Sequence, residues 1–183
     1  MMQPRLGIIA GGGALPAILI KNCDREGRNY FVIALRGQTA PEVVSGRPHK
    51  WIRIGAGGQA LASLFENNIS ELVLVGSIVK PELSELRPDA WTTRFLAGNI
   101  YKLGDDNLLR RLVKHLEDKE GFRVLGVDEL IPKLITPARC LTRASPSESD
   151  LVDIRAGVEA AKQLGHQDQG QGVIVDGGLI LAK

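Results

Sequence analysis

Three consecutive glycines, Gly11, Gly12 and Gly13, stand between a short apolar run (Leu6, Ile8, Ile9) and a segment of helical character from Leu15 to Asn22, with Pro16 in its first turn. Glycine reaches backbone angles closed to other residues and lets a ligand approach the main chain. Proline is tolerated at a helix start because the amide it lacks has no partner there. A glycine loop between a strand and a helix N-terminus presents N–H groups and a positive dipole end to an anion. The chemistry offered is a phosphate cradle; the alternative is a tight strand-to-helix turn of an ordinary α/β domain. The pattern is not a P-loop, because no Gly-Lys-Ser/Thr follows, and the third glycine of a dinucleotide fingerprint would fall on Pro16.

A second candidate is Gly76-Ser77, at the end of the apolar run "LVLVG", with Lys80 three residues on as a cation for a phosphate or as a plain surface lysine. Ligands of open parallel sheets sit beyond the carboxyl ends of the strands, so both glycine sites would share one rim. Asp105-Asp106 opens a helix and could cap it or hold a metal; Asp150 and Asp153 carry the same ambiguity, and Asp168 precedes a hairpin. His49, His115 and His166 have no partner at ligand spacing, and His115 reads as a helix surface residue. No serine-hydrolase elbow and no HExxH is present.

The elements that must hold these residues alternate. Strands are expected at Arg5–Ala10, Tyr30–Leu35, Trp51–Ile54, Glu71–Gly76 and Phe122–Leu125. Helices are expected from Leu15 to Glu26, after Gly57-Gly58, from Asp105 to Gly121 and over Val127–Leu134, with Leu108, Leu109, Leu112, Val113 and Leu116 on one side of the third. Residues 78–91 read as a loop with a short helix, and the stretch with Gly37, Pro41, Gly46 and Pro48 as a polar loop. This order predicts an α/β fold: a Rossmann-like parallel sheet over 1–135 with helices on both faces. A Ser/Thr/Pro-rich linker follows over 136–149, and then the start of an incomplete α+β C-terminal domain over 150–183. That part holds an amphipathic helix, Leu151–Leu164, and a hairpin around Asp176-Gly177. Two strands alone are marginal in water, so Val173, Val175, Leu179 and Leu181 call for a cover, either the first domain or further chain.

Composition narrows the function classes. The chain of 183 residues is 44% hydrophobic, enough for a real core, while 4% aromatics and a net charge of +2 without a basic tract argue against a nucleic-acid partner. Cys23 and Cys140 have no metal spacing and read as reduced thiols of a cytoplasmic protein. No signal-peptide pattern and no run of about 18 apolar residues occurs.

Five stretches together resemble one family: "GIIAGGGALP", "VLVGSIVKPELSELRPD", "GDDNLLRRLVKHLEDKEGFRVLG", "LTRASPSESDLVDI" and "GVEAAKQLGHQDQGQGVIVDGG". In this order and spacing they are similar to the LpxI-type UDP-2,3-diacylglucosamine pyrophosphatases of lipid A biosynthesis, over nearly the whole chain. The resemblance implies hydrolysis of UDP-2,3-diacylglucosamine to 2,3-diacylglucosamine 1-phosphate (lipid X) and UMP with Mg²⁺, by a cytoplasmic enzyme peripheral to the inner membrane. It places Gly11, Gly12, Gly13, Leu15 and Pro16 on an N-terminal glycine motif, and Gly76, Ser77, Lys80 and Pro81 on a GxVxRP-like motif. Lys80 stands where arginine is common, keeping the charge without the guanidinium fork. The resemblance implies a further segment with an EGTD-like motif and the acidic metal ligands. The expectation is therefore that this polypeptide alone is inactive or nearly so; its catalytic and metal residues stay unassigned, as does homo-oligomer formation. Two rival readings are a non-catalytic nucleotide-binding module and an NAD oxidoreductase. The second is disfavoured because Ala34, Leu35 and Arg36 close the second strand without an acid.

Overall fold

The computed structural model describes residues 3–79, 81–97, 105–167, 169–170 and 172–182. They form two compact units, one within residues 3–97 and 108–135, the other within 105–107 and 136–182.

The first unit alternates strand and helix. In chain order it contains β1 (Leu6–Ala10), α1 (Leu15–Glu26), β2 (Tyr30–Leu35), α2 (Pro41–Val44), β3 (His49–Ile52), α3 (Gly57–Glu66) and β4 (Glu71–Val75). Then come α4 (Leu83–Leu86), α5 (Ala90–Leu96), α6 (Asp105–Asp118) from residue 108 on, β5 (Arg123–Val124), α7 (Val127–Leu130) and a 3₁₀ turn at Pro132–Leu134. All five strands pair in parallel in the order β3-β2-β1-β4-β5. The order reverses beside β1, which puts a topological switch point between the carboxyl ends of β1 and β4.

Strand alternation divides the core. Leu6, Ile8, Val32, Ala34 and Val73 face one side, where Leu19, Ile20 and Cys23 of α1 and Val44 of α2 cover them. Phe31, Ile33, Leu35 and Leu72 face the other, under Leu61 and Leu64 of α3 and Leu116 of α6. Sheets buried on both faces need apolar residues at every strand position, which is why all six residues of β2 are buried. At Gly7 a Cβ would lie 2.5 Å from a Leu72 methyl and 2.9 Å from one of Leu64, so a side chain there would have to displace these core methyls.

Several expectations shift. β3 starts at His49 rather than Trp51, because Arg36 N–H and Val32 N–H bond Ile52 and Pro48 carbonyls and set the register. The stretch read as a polar loop contains α2, opened by Pro41 at a helix start. Residues 78–91 hold one short helix as expected, and a second begins within them at Ala90, whose N-cap is Asp89. His115 is not a simple surface residue: it packs edge-on against Trp91 and Phe95, with ring centroids 5.4 and 5.5 Å away, beside the Glu120 carboxylate.

The second unit is a helix and an antiparallel hairpin: α8 (Glu148–His166), β6 (Ile174–Asp176) and β7 (Leu179–Ala182). α8 begins inside the stretch read as linker, because Ser147 and Asp150 form a reciprocal capping box. Gly177 and Gly178 take φ of +56° and +80°, as a tight hairpin turn of mirror-image type demands. Asp153 of α8 accepts both of their N–H groups, at 3.1 and 2.6 Å, so its carboxylate anchors a turn. Gly157 leaves room for Val175, whose methyl would lie 3.3 Å from a Cβ there. Leu179 and Leu181 remain exposed.

Candidate functional site

The loops after β1, β2 and β4 meet at the switch point. Gly12 and Ser77 exchange two backbone hydrogen bonds, Gly12 N–H to Ser77 O at 2.7 Å and Ser77 N–H to Gly12 O at 3.0 Å. Gly11 N–H donates to Val75 O at 2.8 Å. The crossing is too close for side chains: a Cβ on Gly11 would lie 2.4 Å from Ser77 O, and one on Gly76 2.5 Å from Gly12 O. Gly76 also has φ of +98°, a left-handed conformation that L side chains rarely adopt.

The glycine triplet therefore divides. The amides of Gly11 and Gly12 already donate within the fold and are not the free donors that a cradle requires, so these two residues set the crossing of the loops. Gly13, with φ of +80°, turns the chain into α1. Among the described residues, no backbone carbonyl accepts from the amides of Gly13, Ala14 or Leu15, and α1 has no side-chain cap. These three amides at a helix start are the anion donors the structure offers. The Ser77 hydroxyl lies nearby, 3.9 Å from where a Gly13 Cβ would be.

The other expected site residues fall as follows. Leu15 is exposed at the mouth of α1, whereas Pro16 is buried and wedges against Gly76, its Cγ 2.9 Å from a Cβ there. Lys80 and Asp168 lie outside the described residues. Leu15 and Ile18 on α1, and Ile78 and Val79 in the loop after β4, are all substantially exposed.

Two contributors had not been singled out from the sequence. The turn after β2 supplies Gln38, whose side chain bonds the backbone of Val79, and Thr39, whose buried hydroxyl donates to Ala10 O. The rule that strand ends build such sites points to this turn as well. The second contributor is Asp89. Its carboxylate caps α5 through Thr92 N–H at 2.8 Å and accepts Gly58 N–H at 2.8 Å at the start of α3. Thr92 Oγ1 accepts Gly57 N–H at 3.0 Å. The first turn of α3 is thus closed by the chain's own side chains and is not a second anion site. Burial pushes the Asp89 carboxyl up, but hydrogen bonds from Thr92, Gly58 and Gln59 outweigh it and hold the group below the ordinary aspartate range.

Among the described residues, no three His, Cys, Asp or Glu side chains gather as a metal set.

The fold defines a doubly wound α/β protein whose candidate site lies at the switch point of its parallel sheet. Its residues 5–134 match the LpxI N-terminal domain and residues 137–183 the LpxI C-terminal domain. The chain belongs to the LpxI family. It is 35% identical over 180 residues to a UDP-2,3-diacylglucosamine pyrophosphatase LpxI of Caulobacter vibrioides. That alignment covers 97% of this chain and 64% of the relative, so the chain spans just under two thirds of the relative's length.

Proposed function

We propose that this chain carries the nucleotide-diphosphate site of a UDP-2,3-diacylglucosamine pyrophosphatase, which hydrolyses its substrate to 2,3-diacylglucosamine 1-phosphate and UMP. The observation that carries this reading is the family match through both domains. The geometry adds a suitable anion site. A pyrophosphate resists attack because its oxygens repel the nucleophile, and fixed N–H donors offset that charge without reorganising during reaction. The Gly13, Ala14 and Leu15 amides and the dipole of α1 supply such donors, and the Ser77 hydroxyl adds another. Gly11, Gly12 and Gly76 hold the two loops in contact. Lys80 is proposed as the cation of this site. The exposed Leu15, Ile18, Ile78 and Val79 suit an amphipathic substrate presented at the inner-membrane surface. Among the described residues no helix is long and apolar enough to cross a membrane. A cytoplasmic location and a Mg²⁺ requirement are part of the proposal.

The test is UMP release from UDP-2,3-diacylglucosamine by the purified chain, with and without Mg²⁺, alongside calorimetric binding of UDP and NAD. Turnover supports the hydrolase. Binding of UDP without turnover still supports the nucleotide-diphosphate site and agrees with a polypeptide that is inactive alone. Binding of NAD in preference to UDP refutes the reading. The loop after β2 begins with Arg36 and Gly37 and offers no carboxylate for an NAD ribose, which favours UDP.

A further inference from the structure

We propose that Gln38 is the positioning residue of this site: it fixes the loop after β4 against the glycine loop, and anion affinity at the switch point depends on it. The proposal rests on the nucleotide reading above.

The foundation is the turn after β2. Gln38 N–H bonds Leu35 O at 3.0 Å, and Gly37 at the third position has φ of +76°, as a type II turn requires. Thr39 Oγ1 accepts Leu35 N–H at 2.9 Å and donates to Ala10 O, which ties the end of β2 to the end of β1. The backbone of Gln38 is therefore fixed. Its carbonyl lies 3.1 Å from where a Gly12 Cβ would be, in contact with the glycine loop. Its side chain reaches the loop after β4: Oε1 accepts Val79 N–H at 2.9 Å, and Nε2 donates to Val79 O at 3.3 Å.

A primary amide presents one acceptor and one donor side by side, as a peptide group does, and so pairs with both polar groups of a single backbone residue. Val79 is 76% exposed, so packing does little to hold it, and the two hydrogen bonds dominate its placement. One residue thus joins the loops of three strands, and the loop it clamps carries Ser77. Because fixed donors act only when already in place, freeing this loop lowers affinity for a pyrophosphate without unfolding the sheet.

The experiment compares wild type with Gln38→Met, which keeps the chain length but neither hydrogen-bonding group, and with Gln38→Glu, which keeps the acceptor for Val79 N–H. Affinities for UDP and inorganic pyrophosphate are read by calorimetry, and amide exchange by NMR. Gln38→Met should weaken both ligands by about tenfold, the effect of losing two ordinary hydrogen bonds. Val79 exchange should accelerate while the Ile8 and Val73 amides keep their protection, and Gln38→Glu should retain protection at Val79. Unchanged affinity in a folded Gln38→Met variant overturns the proposal, as does unchanged Val79 exchange. If wild type binds neither UDP nor pyrophosphate, the nucleotide reading fails and takes the affinity claim with it. The Val79 amide then decides the clamp alone.

Discussion

Gly11→Ala is the substitution that separates the two reasons for a glycine loop. Gly11 does not have a left-handed φ, so alanine meets no conformational objection there. The objection is space. The new methyl would lie 2.4 Å from Ser77 O and 3.1 Å from two further backbone carbons, and backbone cannot swing aside as a side-chain tip can. The loops must part by most of an ångström, which disturbs the paired Gly12 and Ser77 bonds at 2.7 and 3.0 Å. Two weakened hydrogen bonds at about 1 kcal/mol each, with overpacking of about 1–3 kcal/mol, give a loss of about 3–5 kcal/mol. At about 2–4 °C per kcal/mol for a chain of this size, the Tm falls by roughly 6–20 °C. Gly13→Ala is the control: its methyl would touch nothing closer than 3.9 Å, but its φ of +80° costs about 1–2 kcal/mol. Calorimetry with UDP completes the assay. Both variants should bind UDP more weakly, Gly11→Ala with the larger loss of Tm. A Gly11→Ala protein with unchanged Tm and unchanged affinity would refute the close crossing of the two loops.

Asp89→Ala leaves the Thr92, Gly58 and Gln59 amides without their acceptor and should cost about 1–3 kcal/mol by urea denaturation. Because the folded Asp89 carboxyl is held below its unfolded value, its contribution is complete above about pH 4 and disappears as the pH falls through the lowered folded value. Wild type and Asp89→Asn should therefore converge in stability on acidification. Asp153→Ala should speed amide exchange at Gly177 and Gly178 and leave the sheet amides of the first unit unchanged, since its two bonds lie wholly in the hairpin unit. Cys140 should react with a thiol reagent in the native protein; Cys23, buried and with its thiol pushed up by burial to about 11, should react only on unfolding.

The architecture was legible in the sequence because it rests on local signals. Apolar runs such as "YFVIAL" and "LVLV", separated by helical periods and glycine stops, admit little besides a parallel sheet covered on both faces. The same signals put Gly11–Gly13 and Gly76-Ser77 on one rim. Boundaries were less secure where pairing decides them: β3 begins at His49 because β2 sets its register, and no residue near Trp51 announces that.

What the sequence could not distribute was the work within the glycine loop. Three adjacent glycines look alike in a string. Only the fold shows that Gly11 and Gly12 are glycines because another backbone crosses them, and that Gly13 turns the chain so that the following amides stay free. Likewise Asp153 read as a helix-opening acid, yet it anchors a turn twenty-four residues away. Gln38 was an unremarked polar residue until the turn after β2 brought it to Val79, forty-one residues on. Periodicity and stop residues are properties of neighbours along the chain, so the sequence by itself determined the elements and their order. Which amide is free and which carboxylate is occupied depends on groups brought together from distant positions, and only the tertiary structure decided that.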